Sequence, residues 1–168
     1  MTELFKPDFA EVFEAYYDRI YKYAYTILLN RENAEDVVEE TFLAAYIAYA
    51  GYDPTRASLA TWLTRIAHNK AVNLVRSASY RMEQPLPDDE TIATAAYDSQ
   101  IEVRETVRWL YSKLTLEERE FLNLRYVMEL KDREVAMLYG IEPKAVNKRY
   151  QRLLKRCRQI LDGGEEKT

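Results

Sequence analysis

The sequence predicts an all-α protein: two small helical domains joined by a flexible acidic linker, the second domain carrying a helix-turn-helix. Three observations lead there. Apolar residues recur at steps of three and four through most of the 168 residues, which is the spacing of one helix face, and no stretch alternates with period two for long enough to make a strand. The four glycines (Gly51, Gly140, Gly163, Gly164) and five prolines (Pro7, Pro54, Pro85, Pro87, Pro143) fall outside those periodic stretches, where helices begin or end. From Ser79 to Asp98 the period lapses, and the stretch carries Pro85, Pro87, Asp88, Asp89 and Glu90, the composition of a linker. The expected division is therefore a domain at 5–80, a linker at 81–97 and a domain at 98–162. Each domain is short enough that its core is modest.

The elements follow in order. Phe9, Phe13, Tyr16, Ile20, Tyr23 and Ile27 mark a first helix, and Ala34, Val38, Phe42, Ala45 and Tyr49 a second, with Asn33 as its expected N-cap. Leu59, Leu63, Ile66 and Leu74 lie along a third, capped by Ser58. Beyond the linker, Val103, Val107, Leu110 and Leu114 share one helix and Phe121, Leu124 and Met128 another. A short helix from Asp132 to Tyr139 then meets Gly140, and a long basic helix runs from Pro143 to Leu161.

Val135, Ala136, Tyr139, Gly140, Ile141 and Val146 stand at helix-turn-helix spacing. Small Ala136 lets two helices approach, Gly140 supplies the left-handed residue that ends the first, and Ile141 and Val146 fill the space between them. On the last helix Val146, Tyr150, Leu153, Cys157 and Ile160 form a buried stripe. The opposite face carries Lys144, Asn147, Lys148, Gln151, Lys155 and Arg158, with Arg149, Arg152 and Arg156 on its flanks. Cations neutralise phosphates and side-chain amides read base edges, so this face suits a DNA major groove. A solvated surface helix, or one packed on another protein, has the same outline.

Charge is segregated along the chain. The totals are 24 Lys+Arg against 28 Asp+Glu, net −4, with 48% apolar residues, a balance that excludes a disordered chain. Residues 1–53 hold four basic and eleven acidic side chains; residues 54–82 hold five basic and no acidic ones. Residues 83–113 return to a net acidic balance, and 114–161 hold eleven basic against seven acidic. Two basic blocks separated by acidic ones fit two anion-preferring surfaces. No apolar run approaches about 18 residues, so no membrane-spanning helix is expected, and the first residues resemble no secretory signal. One cysteine and one histidine make neither a disulfide nor a structural zinc site. There is no Gly-rich phosphate loop and no Ser/His/Asp set. The expectation is a soluble cytoplasmic protein, not an enzyme, without cofactor or metal.

Taken in order, the residues resemble a known family. The first part is Phe13-Glu14-Ala15-Tyr16-Tyr17, then Asn33-Ala34-Glu35-Asp36-Val37-Val38-Glu39-Glu40-Thr41-Phe42, then Ser58-Leu59-Ala60-Thr61-Trp62-Leu63-Thr64-Arg65-Ile66-Ala67-His68-Asn69 and Asn73-Leu74-Val75-Arg76. The second part runs from Leu114-Thr115-Leu116-Glu117-Glu118-Arg119 through Leu124-Arg125-Tyr126 into the helix-turn-helix. This pattern resembles the extracytoplasmic-function (ECF) group of bacterial RNA polymerase sigma factors, in the sigma-70 family, and covers nearly the whole chain.

The resemblance implies a transcription initiation factor that binds core RNA polymerase, recognises promoter −10 and −35 elements and promotes melting. It places Asp36, Glu39 and Glu40 on the β′ clamp of the polymerase, with a further contact to the β flap. Alone, those carboxylates read equally well as a solvated helix face. It places the −10 reader in the loop Tyr52–Ala57 and the following helix, with Asn69 as the base-capturing residue and Arg56, Arg65, Lys70, Asn73 and Arg76 in support. The −35 reader falls on Lys144, Asn147, Lys148, Arg149, Gln151 and Arg152. Trp62 sits near the Leu63/Ile66 stripe and reads as core packing before base stacking. His68 reads as a surface polar residue, or else as a pH-sensitive contact. The family's partners are core polymerase, promoter DNA and an anti-sigma factor, which in some cases holds the protein at the membrane.

This chain departs from the family pattern at Glu39 (commonly Gln), Leu59 (an aromatic) and Lys131 (Ser, leaving Asp132 as the expected cap). Glu142 and Ala145 stand at common Ser and Thr positions, and Asn147 at a common Lys. Two other classes compete: a helix-turn-helix regulator that binds duplex DNA without polymerase, and a helical adaptor that holds a protein partner. The first leaves the N-terminal domain without a use, and the second leaves the polar face of the last helix without one.

Overall fold

Helix boundaries are set by side chains that satisfy the free N–H groups at each start. The computed structural model describes residues 6–77 and 99–165, and the expected linker at 81–97 lies outside them. Helix α1 spans Phe9–Leu28. The Asp8 carboxylate accepts from the Phe9 N–H at 2.8 Å, and Glu11 reaches back to the Asp8 N–H at 3.1 Å. It ends at Leu29, a non-glycine residue in the left-handed region (φ 53°) whose N–H bonds the Tyr25 carbonyl at 2.7 Å. Helix α2 spans Arg31–Ala48. Its cap is Asn30, not Asn33: Asn33 already lies in the first turn and donates its N–H to Asn30 Oδ1 at 2.8 Å. Both asparagines are good caps by type, and the left-handed turn at Leu29 decides which one stands at the corner.

A short 3-10 turn, Tyr49–Gly51, leads into the loop before α3, Leu59–Arg76. The Asp53 carboxylate folds that loop, accepting from the Thr55 N–H (2.9 Å) and hydroxyl (2.7 Å). Ser58 caps α3 as expected, taking the Thr61 N–H at 3.2 Å. Trp62 packs with Tyr52 and Tyr49 (ring centroids 4.9 and 6.1 Å), which makes it a packing residue here. The Lys6 ammonium lies 4.4 Å from the centre of the Tyr49 ring.

The second half begins with α4, Ser99–Lys113, and α5, Leu116–Tyr126, whose Thr115 and Glu118 exchange capping bonds at 3.2 and 2.9 Å. Met128, expected within this helix, lies beyond its end, and Glu129 (φ 55°) turns the chain. Helix α6 spans Asp132–Tyr139 as expected. Its cap position is Lys131, not Asp132, and Glu134 satisfies the Lys131 N–H at 2.9 Å. The Asp132 carboxylate pairs instead with Arg125. Gly140 is left-handed (φ 63°), and α7 follows over Pro143–Glu165. Val146 and Tyr150 are fully buried and Leu153 and Cys157 nearly so, which matches the expected stripe. The Tyr150 hydroxyl donates to the Phe121 carbonyl at 2.7 Å, and the Arg125 guanidinium lies 3.7 Å from the centre of the Tyr150 ring.

All described regular structure is helical. Helices α1, α2 and α3 pack on one another, and α4, α5 and α6 each pack on α7. The halves also meet: α1 lies along α5, and α3 touches α6. Their buried apolar residues form one cluster, from Val12 in α1 to Cys157 in α7.

An added Cβ at Gly140 would meet nothing within 4 Å, so only backbone strain opposes a side chain there. Gly140→Ala is expected to cost about 1–2 kcal/mol by urea denaturation. Gly51→Ala, equally open but without positive φ, is expected to change stability by less than about 0.5 kcal/mol.

Candidate nucleic-acid interface

Burying the stripe of α7 turns its other residues outward. Lys144, Asn147, Lys148, Gln151 and Arg152 are exposed along one side of the helix. Asp132, Pro143, Lys144, Asn147 and Lys148 line an open depression where α6 meets the start of α7. Arg149 behaves differently. Half-buried, it pairs with Glu117 and lays its guanidinium 4.4 Å from the centre of the Phe121 ring and 5.1 Å from that of Tyr139. Of the six residues expected on this face, five project freely and Arg149 is held against its own half.

On α3, Arg65, Asn69, Asn73 and Arg76 are exposed at spacings of four, four and three, which is one helix face. Lys70 pairs with Glu40 of α2 at 3.3 Å. Arg56 is exposed in the loop, where hydrogen bonds from Thr55 to Asp53 hold that carboxyl below its usual range. A row of two amides between cations can accept phosphates and offer hydrogen bonds to unpaired bases.

On α2, Asp36, Glu39 and Glu40 are exposed as expected. The same face continues into Leu43, Tyr46 and Ile47, which are 63%, 66% and 74% exposed. Sequence reasoning passed over these three, although a signal was there: they lie off the Ala34/Val38/Phe42/Ala45 stripe and continue the 36–39–40 series at helical spacing.

The main feature missed by sequence reasoning lies between the halves. Glu120 of α5 is only 4% exposed. Its Oε1 accepts from the Tyr23 hydroxyl of α1 and bonds Nδ1 of His68 of α3, and its Oε2 accepts from the Tyr139 hydroxyl of α6 at 2.8 Å. Burial alone would raise the Glu120 pKa. The hydrogen bond and charge of His68, with the two tyrosine hydroxyls, outweigh burial and leave it lowered. The hydrogen bond to Glu120 raises the His68 pKa above 6.5 against its own desolvation. Tyr23 and Tyr139 are both raised, by burial first and then by the adjacent carboxylate. His68 is therefore an interhelical contact and not a surface polar residue. Among the described residues no His, Cys, Asp and Glu group is placed to hold a metal ion, and no helix is long and apolar enough to cross a membrane.

Comparison with known proteins fits this arrangement. The sigma-70 region 2 profile matches residues 12–81. The ECF RNA polymerase sigma factor SigM of Bacillus subtilis (strain 168) is 27% identical over 90% of this chain and 91% of its own. SigW of the same organism is 27% identical over 86% and 83%. A structure of CnrH in complex with the cytosolic domain of CnrY is similar with a TM-score of 0.67 and 26% identity, over 92% of this chain and 88% of that one. The fold is also that of the sigma factor RpoE in complex with the anti-sigma factor NepR from Bartonella quintana (TM-score 0.74, 17% identity, 92% and 97% coverage). The region 2 match lies in the first half, and the relatives that are similar across both halves are extracytoplasmic-function RNA polymerase sigma factors.

Proposed function

We propose that the chain binds core RNA polymerase through α2, reads a −10 element with α3 and its preceding loop, reads a −35 element with α7, and promotes promoter melting. The observation that carries this reading is the distribution of exposed groups: one acidic face and two basic, amide-bearing faces, each on a different helix. An acidic face repels DNA and suits a basic protein surface. Leu43, Tyr46 and Ile47 add apolar area to it, as a protein partner requires and a solvated face does not. The proposed partner is the β′ clamp for α2, with the β flap contacting the second half.

In this mechanism α7 enters the major groove of the duplex −35 element. Lys144, Lys148 and Arg152 neutralise phosphates while Asn147 and Gln151 read base edges. Arg149 acts mainly by holding α7 against Glu117, Phe121 and Tyr139. Asn69 takes a base flipped from the non-template strand, with Asn73 beside it and Arg56, Arg65 and Arg76 on the backbone; Lys70 joins them on leaving Glu40. Binding of the exposed strand supplies the free energy of opening, and no nucleotide is hydrolysed by this chain. An anti-sigma factor, such as the NepR bound to the similar RpoE, is the proposed inhibitor, and the cytoplasm the proposed location.

The decisive experiment is co-purification with bacterial core polymerase followed by transcription from a pool of promoter fragments. Stoichiometric binding and transcripts sharing two spaced elements are expected; failure to bind core, with retention of duplex DNA alone, would overturn the reading in favour of a polymerase-independent regulator. Asn69→Ala is expected to slow open-complex formation at least about tenfold with core affinity unchanged. Asn147→Ala is expected to lose roughly 1–3 kcal/mol of discrimination at one −35 position, read by competition between promoter variants. Joint replacement of Leu43 and Tyr46 by Ala is expected to weaken core binding by more than about tenfold, measured by fluorescence anisotropy.

A further inference from the structure

We infer that the free chain is held shut by a polar latch centred on Glu120, and that this latch opens before the two DNA-reading faces serve one promoter. Glu120 takes one partner from its own half, Tyr139, and two from the other, Tyr23 and His68. Two further clasps flank it. The Arg19 side chain of α1 donates to the carbonyls of Val127 at 3.4 Å and Met128 at 2.6 Å, with the Glu129 carboxylate at 3.6 Å. The hydroxyls of Ser58 and Thr61, at the start of α3, donate to Glu134 of α6 at 2.8 and 2.9 Å. Apart from the Tyr139 bond, each of these joins a group of the first half to one of the second.

The apolar cluster shared by the halves favours closure, and the polar part of the joint is the part suited to exchange with water. Water satisfies carboxylates, hydroxyls and guanidinium groups once the halves separate, so opening exchanges hydrogen bonds, whereas parting a wholly apolar seam only exposes surface. The Ser58/Thr61–Glu134 clasp ties the start of the −10-reading helix to α6, which packs on the −35-reading α7. The two faces are thus held within one body, and a compact chain of this length has a radius of gyration of about 15 Å. Elements about 25 base pairs apart are separated by on the order of 85 Å of B-DNA. The closed chain is too small to span them. Opening is required wherever both faces act on one promoter; this consequence rests on the function proposed above, while the closed geometry does not.

The latch also carries a charge balance. Facing it are Tyr23 from α1, His68 and Arg76 from α3, Glu117 beside it on α5, Tyr139 from α6 and Arg149 from α7. His68 has a raised pKa in the closed form, so its contribution to closure is complete below the ordinary imidazole range and is lost as pH rises through the raised value. Glu120 has a lowered pKa, so its contribution is present above the ordinary carboxyl range and is lost as pH falls through the lowered value. Closure is strongest between the two, and alkaline pH opens the chain.

The test is small-angle X-ray scattering of the full-length free chain from about pH 6 to pH 9, for the wild type, His68→Ala, Tyr23→Phe and Glu120→Gln, with circular dichroism as a check on folding. The wild-type radius of gyration is expected to start near that of a compact chain and to rise by several ångströms across the imidazole range. His68→Ala is expected to be larger at pH 6 and nearly flat with pH. Tyr23→Phe, which leaves the second half untouched, keeps the proposal testable if Glu120→Gln unfolds; it is expected to shift toward the open form at every pH. A radius unchanged by pH and by both first-half variants would overturn the latch. Core affinity of His68→Ala is expected to rise several-fold at pH 6, because a larger fraction of the free chain is competent to bind. Expansion in scattering without a change in core or promoter binding would leave the latch standing and count against the proposed function.

Discussion

A carboxylate almost without access to water has to be satisfied by its neighbours, and Glu120 draws them from three other helices. Tyr23, His68 and Tyr139 bring α1, α3 and α6 to the same two oxygens of α5. Apolar burial favours contact between the halves but tolerates sliding, because it is non-directional. Hydrogen bonds to a buried charge do not tolerate it: a displacement of one helical step leaves the carboxylate unpaired, at a cost of several kcal/mol. The cluster therefore sets the register of the halves, while the shared core contributes most of the attraction. The positions of the Arg19 and Glu134 clasps follow from that register.

The helices were legible because their causes are local. Periodicity places the buried stripe of α7 at Val146, Tyr150, Leu153 and Cys157, and Gly140 marks the turn because left-handed backbone strains any residue with a Cβ. The cap of α2 was misplaced by one turn, since Asn30 and Asn33 are equivalent by type and the left-handed Leu29 that chooses between them carries no glycine signal. Likewise Lys131 stands at a cap position that Asp132 suits better, because Asp132 is drawn to Arg125 across the turn. The joint was illegible for a different reason. Nothing near Glu120 in the chain distinguishes it from the exposed Glu117, and its partners Tyr23 and His68 are 97 and 52 residues away. His68 alone reads as surface, and only the packing of α1 and α3 against the second half gives it a partner.

The candidate binding faces were legible in composition but not in availability. Asn147 and Arg149 are two residues apart on a basic helix, yet one is exposed and the other is paired with Glu117 and stacked on two rings. The difference follows from helical geometry: Arg149 lies next to the buried Tyr150, where the side chain reaches the surface of α5. The exposed apolar row Leu43, Tyr46 and Ile47 escaped notice because attention to a core stripe treats every apolar residue as a candidate for the interior.

Ion pairs of this chain separate into those that can be exchanged on binding and those that cannot. Lys70–Glu40 and Arg31–Glu35 lie at the surface, where water and salt compete for both partners, so each contributes at most about 1 kcal/mol. A phosphate offered to Lys70, or a basic protein surface offered to Glu40, displaces such a pair at little cost. That the same pair joins a residue of the proposed −10 face to one of the proposed polymerase face means that engaging either side frees the other. The Glu120–His68 contact obeys the opposite rule. Little of Glu120 reaches solvent, so no ligand can take one partner while the halves stay closed, and both partners are released together or not at all. Graded exchange at the rim and all-or-none release at the joint arise from the same chemistry, an acid beside a base, and burial alone distinguishes them.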